Sequence, residues 1–181
     1  MLRWLMRRRI AAFERDYDYD MSYVRDLVEA DPRAARLYGR AVAIGQYRKD
    51  VPLAAWCAAL LTTVMAEDCG PCTQLGVTLA ERAGVDPAVL RAVLARDLKA
   101  LPEDVALAVR FAEATLAHDG AADALRDEIV KRWGKRALVA LGFAITAGRL
   151  YPTLKYALGH GKACTRVTVG GAPMPVLRRA A

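Results

Sequence analysis

The sequence predicts an all-α fold: one domain over residues 1–181, built as a multi-helix bundle with an irregular C-terminal tail. Three observations carry that expectation. Alanine, leucine and arginine outweigh aromatic and β-branched residues, and alanine and leucine lose little freedom in a helix. Apolar residues make up 55% of the 181 positions, enough to bury a core without disulfide or metal staples. Between Asp, Pro and Gly breaks, apolar side chains recur every three or four residues, the spacing of one helical face.

The elements follow in order. The opening MLRWLMRRRIAAF interrupts its apolar residues with arginine, so it lacks the unbroken apolar stretch of a signal peptide. It reads as a short amphipathic helix that docks on a neighbouring subunit or lies on a membrane surface. Asp20 caps a helix to about Ala30, which Asp31-Pro32 ends, and Pro32 suits the first turn of the next, through Ala43 to about Gln46. Val51-Pro52 opens PLAAWCAALLTTVMAED, apolar on all sides and therefore buried; cover for PLAAWCAALL is expected from another subunit. A helix from Pro71 to about Ala83 is closed by Gly84, and Asp86-Pro87 starts one to about Asp97. Leu101-Pro102-Glu103-Asp104 opens DVALAVRFAEATLAHD, and Gly120 separates it from AADALRDEIVKRW. Gly134 precedes KRALVALGFAITAGRLYPTLKYALG, which Pro152 kinks or divides near Tyr151. The longest apolar run there, Ala137 to Gly148, is shorter than the roughly 20 residues that span a bilayer. Beyond His160 the chain bears glycine and proline; TRVTV alternates like a lone strand or an extended tail crossing a neighbouring subunit.

The formal charge is +7, concentrated at the two ends. Residues 1–9 carry four arginines, and residues 162–181 carry Lys162, Arg166, Arg178 and Arg179, both without an acid. The stretch between is nearly neutral, which argues against a nucleic-acid-binding core with its basic stripe. Basic ends keep a protein soluble, or draw it to an acidic partner or an anionic membrane surface. A cytoplasmic location is expected, where Cys69 and Cys72 would not form a static structural disulfide.

Cys69-Gly70-Pro71-Cys72 is the chemically informative stretch. The spacing lets two thiols close a small ring, and Cys69 falls beside the N–H groups and positive dipole end of the following helix, which favour thiolate. Redox pair, half of a zinc site and two ordinary buried thiols are all admissible. A Cys69, Cys72, His160, Cys164 zinc site is arithmetically possible. Glu67, Asp68 and Gln74 lie within reach of the thiols in sequence; Glu67 is the candidate base, against a solvated helix end. Cys57, about three turns before Cys69, either faces the pair or is a small buried residue. His118 reads as a structural helix end and His160 as an exposed side chain with no local partner. Trp56, Trp133, Tyr151 and Tyr156 suit core or subunit interface, and Arg149 and Lys155 read as solvated cations or an anion site.

From Val51 to Val85, an apolar helix, the C-x-x-C, a second helix and Ala-Gly-Val resemble the core of the alkylhydroperoxidase-D and carboxymuconolactone-decarboxylase superfamily. The helix from Asp104 to Ala117 and the segment from Gly134 to Leu150 fit that layout, so the resemblance spans about residues 51–150. It implies an all-helical homo-oligomer with a peroxidatic and a resolving cysteine, recharged by a dithiol or lipoyl-bearing partner. It assigns Cys72 as attacker and Cys69 as resolver, and no cofactor or metal is expected. The family's relay histidine, four residues after the second cysteine, falls on Gly76, and its glutamate falls on Cys57. A helical oligomer or binding protein that keeps the fold without the relay is the alternative expectation.

Overall fold

The computed structural model describes residues 2–162 and 166–175. Among the described residues nine α-helices account for most of the chain: α1 (Leu2–Tyr17), α2 (Ser22–Ala30), α3 (Pro32–Ala43), α4 (Leu53–Ala66), α5 (Gly70–Arg82), α6 (Pro87–Leu94), α7 (Glu103–Leu116), α8 (Ala122–Trp133) and α9 (Lys135–Ala157). One 3-10 turn, Ile44–Gln46, extends α3, and strands β1 (Arg166–Val169) and β2 (Ala172–Pro175) close the described chain. The all-α class follows from this order.

The capping residues do what their chemistry allows. Asp31 and Asp86 each precede a proline-started helix and accept from Arg33 N–H (2.8 Å) and Ala88 N–H (2.7 Å), satisfying a donor with no intrahelical partner. Gly84 and Gly134 take φ of +90° and +85° where helices end, a conformation that costs glycine little. Helix α6 stops at Leu94, short of Asp97, because the chain turns through Arg96 at φ +54°.

Helix α4 is the organising element. Ala55 and Ala59 face one core shared with α7, α8 and α9, while Cys57, Ala58, Leu61 and Val64 face a second shared with α5, α6 and the strands. Cover for it comes from α5, α6, α7 and α9 of its own chain. A satellite cluster of Ile10, Val28 and Ala35 ties α1, α2 and α3 together.

Three further expectations are corrected. Pro152 does not divide its segment: α9 runs unbroken from Lys135 to Ala157. Burial of Gly148, Pro152 and Lys155 on one face holds the turns on both sides of the ring, outweighing the missing N–H bond. Extended this way, α9 is long and apolar enough to cross a membrane by length and composition, although its Ala137, Ala140, Leu141 and Ala144 are buried within the fold. The tail is not irregular throughout, nor is its strand alone. β1 pairs antiparallel with β2, Val169 opposite Ala172 and Arg166 opposite Pro175. Gly170 and Gly171, both at positive φ, make the two-residue turn that matches strand twist. Val167 and Val169 enter the α5 core. Gln74 grips the same strand, accepting from Thr168 N–H at 2.7 Å and donating to Thr168 O at 3.1 Å.

Candidate functional site

Cys69 is the N-cap of α5 in extended conformation, and its Sγ accepts the backbone N–H of Cys72 at 3.3 Å. Proline in the first turn of α5 fixes the backbone in helical geometry without wasting a donor. Cys69 and Cys72 are disulfide-bonded, their Cα atoms 5.3 Å apart. The turn is held from outside by the end of α9: Tyr156 donates its hydroxyl to Asp68 O (3.0 Å), and Lys162 O accepts Gly70 N–H (3.1 Å). His160 has a partner after all. Its Nε2 lies 2.7 Å from Asp26 Oδ2 of α2, so it is tied rather than merely exposed.

The two sulfurs face different surroundings. Cys69 is fully enclosed, whereas Cys72 forms part of the wall of a cavity of about 330 Å³. Phe13, Tyr23, Trp56, Leu60, Leu75 and Tyr151 are among its apolar lining, with Gln46 and Leu79 exposed to solvent. That volume and apolar character suit a small organic ligand. Trp56 also brings an indole N–H that is buried and unpaired among the described residues.

A polar chain reaches Cys72 through Tyr19, itself part of the cavity wall. Tyr19, in the α1–α2 linker, has its hydroxyl 3.8 Å from Cys72 Sγ. Lys155 of α9 donates from Nζ to that same hydroxyl at 3.2 Å. The lysine is 2% exposed, and its ammonium lies 4.5 Å and 5.1 Å from the ring centroids of Tyr19 and Tyr23. The solvated reading of Lys155 fails on this burial. Desolvation lowers its pKa from the ordinary lysine value, with the negative charge of Asp20 opposing. Burial pushes Tyr19 well above the ordinary tyrosine range and raises Tyr23 too.

Comparison with known proteins gives no match to a family model, a curated protein or a solved structure.

The remaining sequence candidates divide as follows. Glu67 is the residue at the C-terminal cap of α4 and pairs with Arg149 Nε at 2.9 Å; it is not part of the cavity wall. Gln74 is committed to Thr168 rather than to the thiols. Cys57 is a buried free thiol of the α4 core, which burial pushes up to about 11. Gly76 does line the cavity, but a Cβ there would meet Leu61 Cδ2 at 2.8 Å. Cys164 lies outside the described residues, and among the described residues no group of three His, Cys, Asp or Glu could hold a metal. Sequence reasoning missed Tyr19 altogether and misplaced Lys155. A signal for the latter existed: Ala144, Gly148, Pro152 and Lys155 fall at steps of four, four and three, one face of a helix.

Proposed function

We propose that the chain is a thiol oxidoreductase of the alkylhydroperoxidase-D-like kind, reducing small apolar hydroperoxides through Cys72 and Cys69. The observation that carries this reading is the asymmetry of the pair, one sulfur on an apolar cavity and its partner enclosed behind it. In the dithiol form the Cys72 thiolate attacks the distal peroxide oxygen. The O–O bond breaks, the alkoxide leaves as an alcohol after taking one proton, and Cys72 is oxidised to the sulfenic acid. The Cys69 thiol then attacks that sulfur, the S–S bond forms and water leaves. An external dithiol restores the pair by exchange through a mixed disulfide and is itself oxidised to a disulfide.

Peroxide consumption with a small dithiol as reductant tests the reading. Cys72→Ser is expected to abolish turnover. Cys69→Ser is expected to stop it after one equivalent, with Cys72 trapped as sulfenic acid. Undiminished turnover in both variants would refute the reading. Gly76 and Cys57, standing where the resembling family carries its relay, favour a second reading as a helical binding protein. That reading expects a pair that does not cycle between dithiol and disulfide when dithiol and peroxide are alternated.

A further inference from the structure

We propose that Lys155 and Tyr19 form a proton wire to Cys72, standing in for the histidine and glutamate that Gly76 and Cys57 replace. The inference rests on the thiol-redox reading above and adds the residues that activate the attacking sulfur. Its first ground is direction. The disulfide sulfur carries no hydrogen, so the Tyr19 hydroxyl donates to Cys72 Sγ while Lys155 donates to Tyr19. Both bonds therefore point toward the sulfur, and each polarises the next. Reduction puts negative charge at the end of that chain, where donors stabilise it.

Its second ground is the missing counter-ion. A buried ammonium without a counter-ion is costly, and Lys155 makes no ion pair among the described residues. Around it stand the rings of Tyr19 and Tyr23, with the charges of Asp20 and Lys162 acting from further out. Asp20 is exposed and sits 3.8 Å from Lys162. The Cys72 thiolate is the charge that this pocket lacks.

The protons then balance. The reduced resting state holds Lys155 as ammonium, Cys69 as thiol and Cys72 as thiolate. When the O–O bond breaks, Tyr19 gives its proton to the departing alkoxide and takes one from Lys155, leaving the amine neutral. Cys69 supplies the second proton to the water released on disulfide formation. Reduction by the external dithiol returns two protons, one to Cys69 and one through Tyr19 to Lys155.

The test is the pH profile of Cys72 alkylation in the reduced full-length protein, followed peptide by peptide by mass spectrometry, with peroxide turnover measured in parallel. Tyr19→Phe and Lys155→Met are each expected to raise the Cys72 midpoint by about one pH unit, slowing alkylation near neutrality roughly tenfold. Cys57 serves as the internal comparison and its rate should not move. Tyr19→Phe removes only a hydroxyl, so the wire stays testable should Lys155→Met fail to fold. An unmoved midpoint with intact peroxide turnover overturns the wire and leaves the redox reading standing. A wild-type pair that never cycles overturns the redox reading itself. A shift in Tyr19→Phe alone, with Lys155→Met folded, removes Lys155 from the wire.

Discussion

Cys69 and Cys72 are separated by three positions, yet two different physical devices act on them. Cys69 takes the N-cap hydrogen bond and the helix dipole, both of which favour its anion. Cys72 takes the hydroxyl of Tyr19 and the cavity. Access breaks the tie, because an attacking sulfur has to meet its substrate and Cys69 is fully enclosed. Cys57 is the contrast. Burial pushes its thiol up to about 11 against the lowering charge of Arg48, so in the reduced protein at pH 8 it should stay unlabelled by a small alkylating reagent while Cys72 reacts. Equal labelling of Cys57 and Cys72 in the reduced, folded protein would contradict that assignment. The C-x-x-C was legible because chain-local spacing defines it. Tyr19 was not: it lies far from the motif in sequence, and nothing in the run of alternating Asp and Tyr marks which ring turns inward.

At the scale of elements, the close approach of α9 to α4 depends on residues without bulk. A Cβ on Gly148 would meet Thr63 Cγ2 at 2.8 Å and Thr63 Cβ at 2.9 Å, and Thr63 is itself buried. Gly148→Ala gains about 1 kcal/mol of helix propensity, while overpacking costs about 1–3 kcal/mol. Net destabilisation of about 1 kcal/mol is expected, and urea unfolding monitored by circular dichroism measures it; a more stable variant would show that α4 and α9 have slack between them. The helices were largely legible because Pro, Asp and Gly bound them, as at Asp31-Pro32 and Gly134. The hairpin was not. Pro173 and Pro175 argue against a strand by sequence, but in a two-stranded sheet both strands are edges, and an edge tolerates missing donors.

For the whole molecule, the buried tyrosines set how the fold answers alkali. Burial raises Tyr19, Tyr23, Tyr38 and Tyr151 above the ordinary tyrosine value of 10.0. A raised folded-state pKa contributes stability that is fully present below the unfolded value and is lost as pH climbs above it. Melting temperature should therefore fall above about pH 10, and less steeply in Tyr38→Phe; identical slopes would show that Tyr38 ionises freely in the native state. Lys155 has the opposite sign. Its lowered folded-state value means that the unfolded chain binds the extra proton just below 10.5, so its contribution improves as pH rises toward that point. The cavity these tyrosines line is closed by Phe13 and Tyr19 from the start of the chain, and Lys155 reaches it from the far end of α9. On the proposed reading, electron transfer belongs to the middle of the polypeptide and proton transfer to its two flanks. A fragment cut to residues 51–150 would keep both sulfurs and the cap of α5 but lose Phe13, Tyr19, Tyr23 and Tyr151 from the wall, and the wire with them. Two proteins could share the central segment and differ in working pH through residues that no comparison of their cysteine motifs would align.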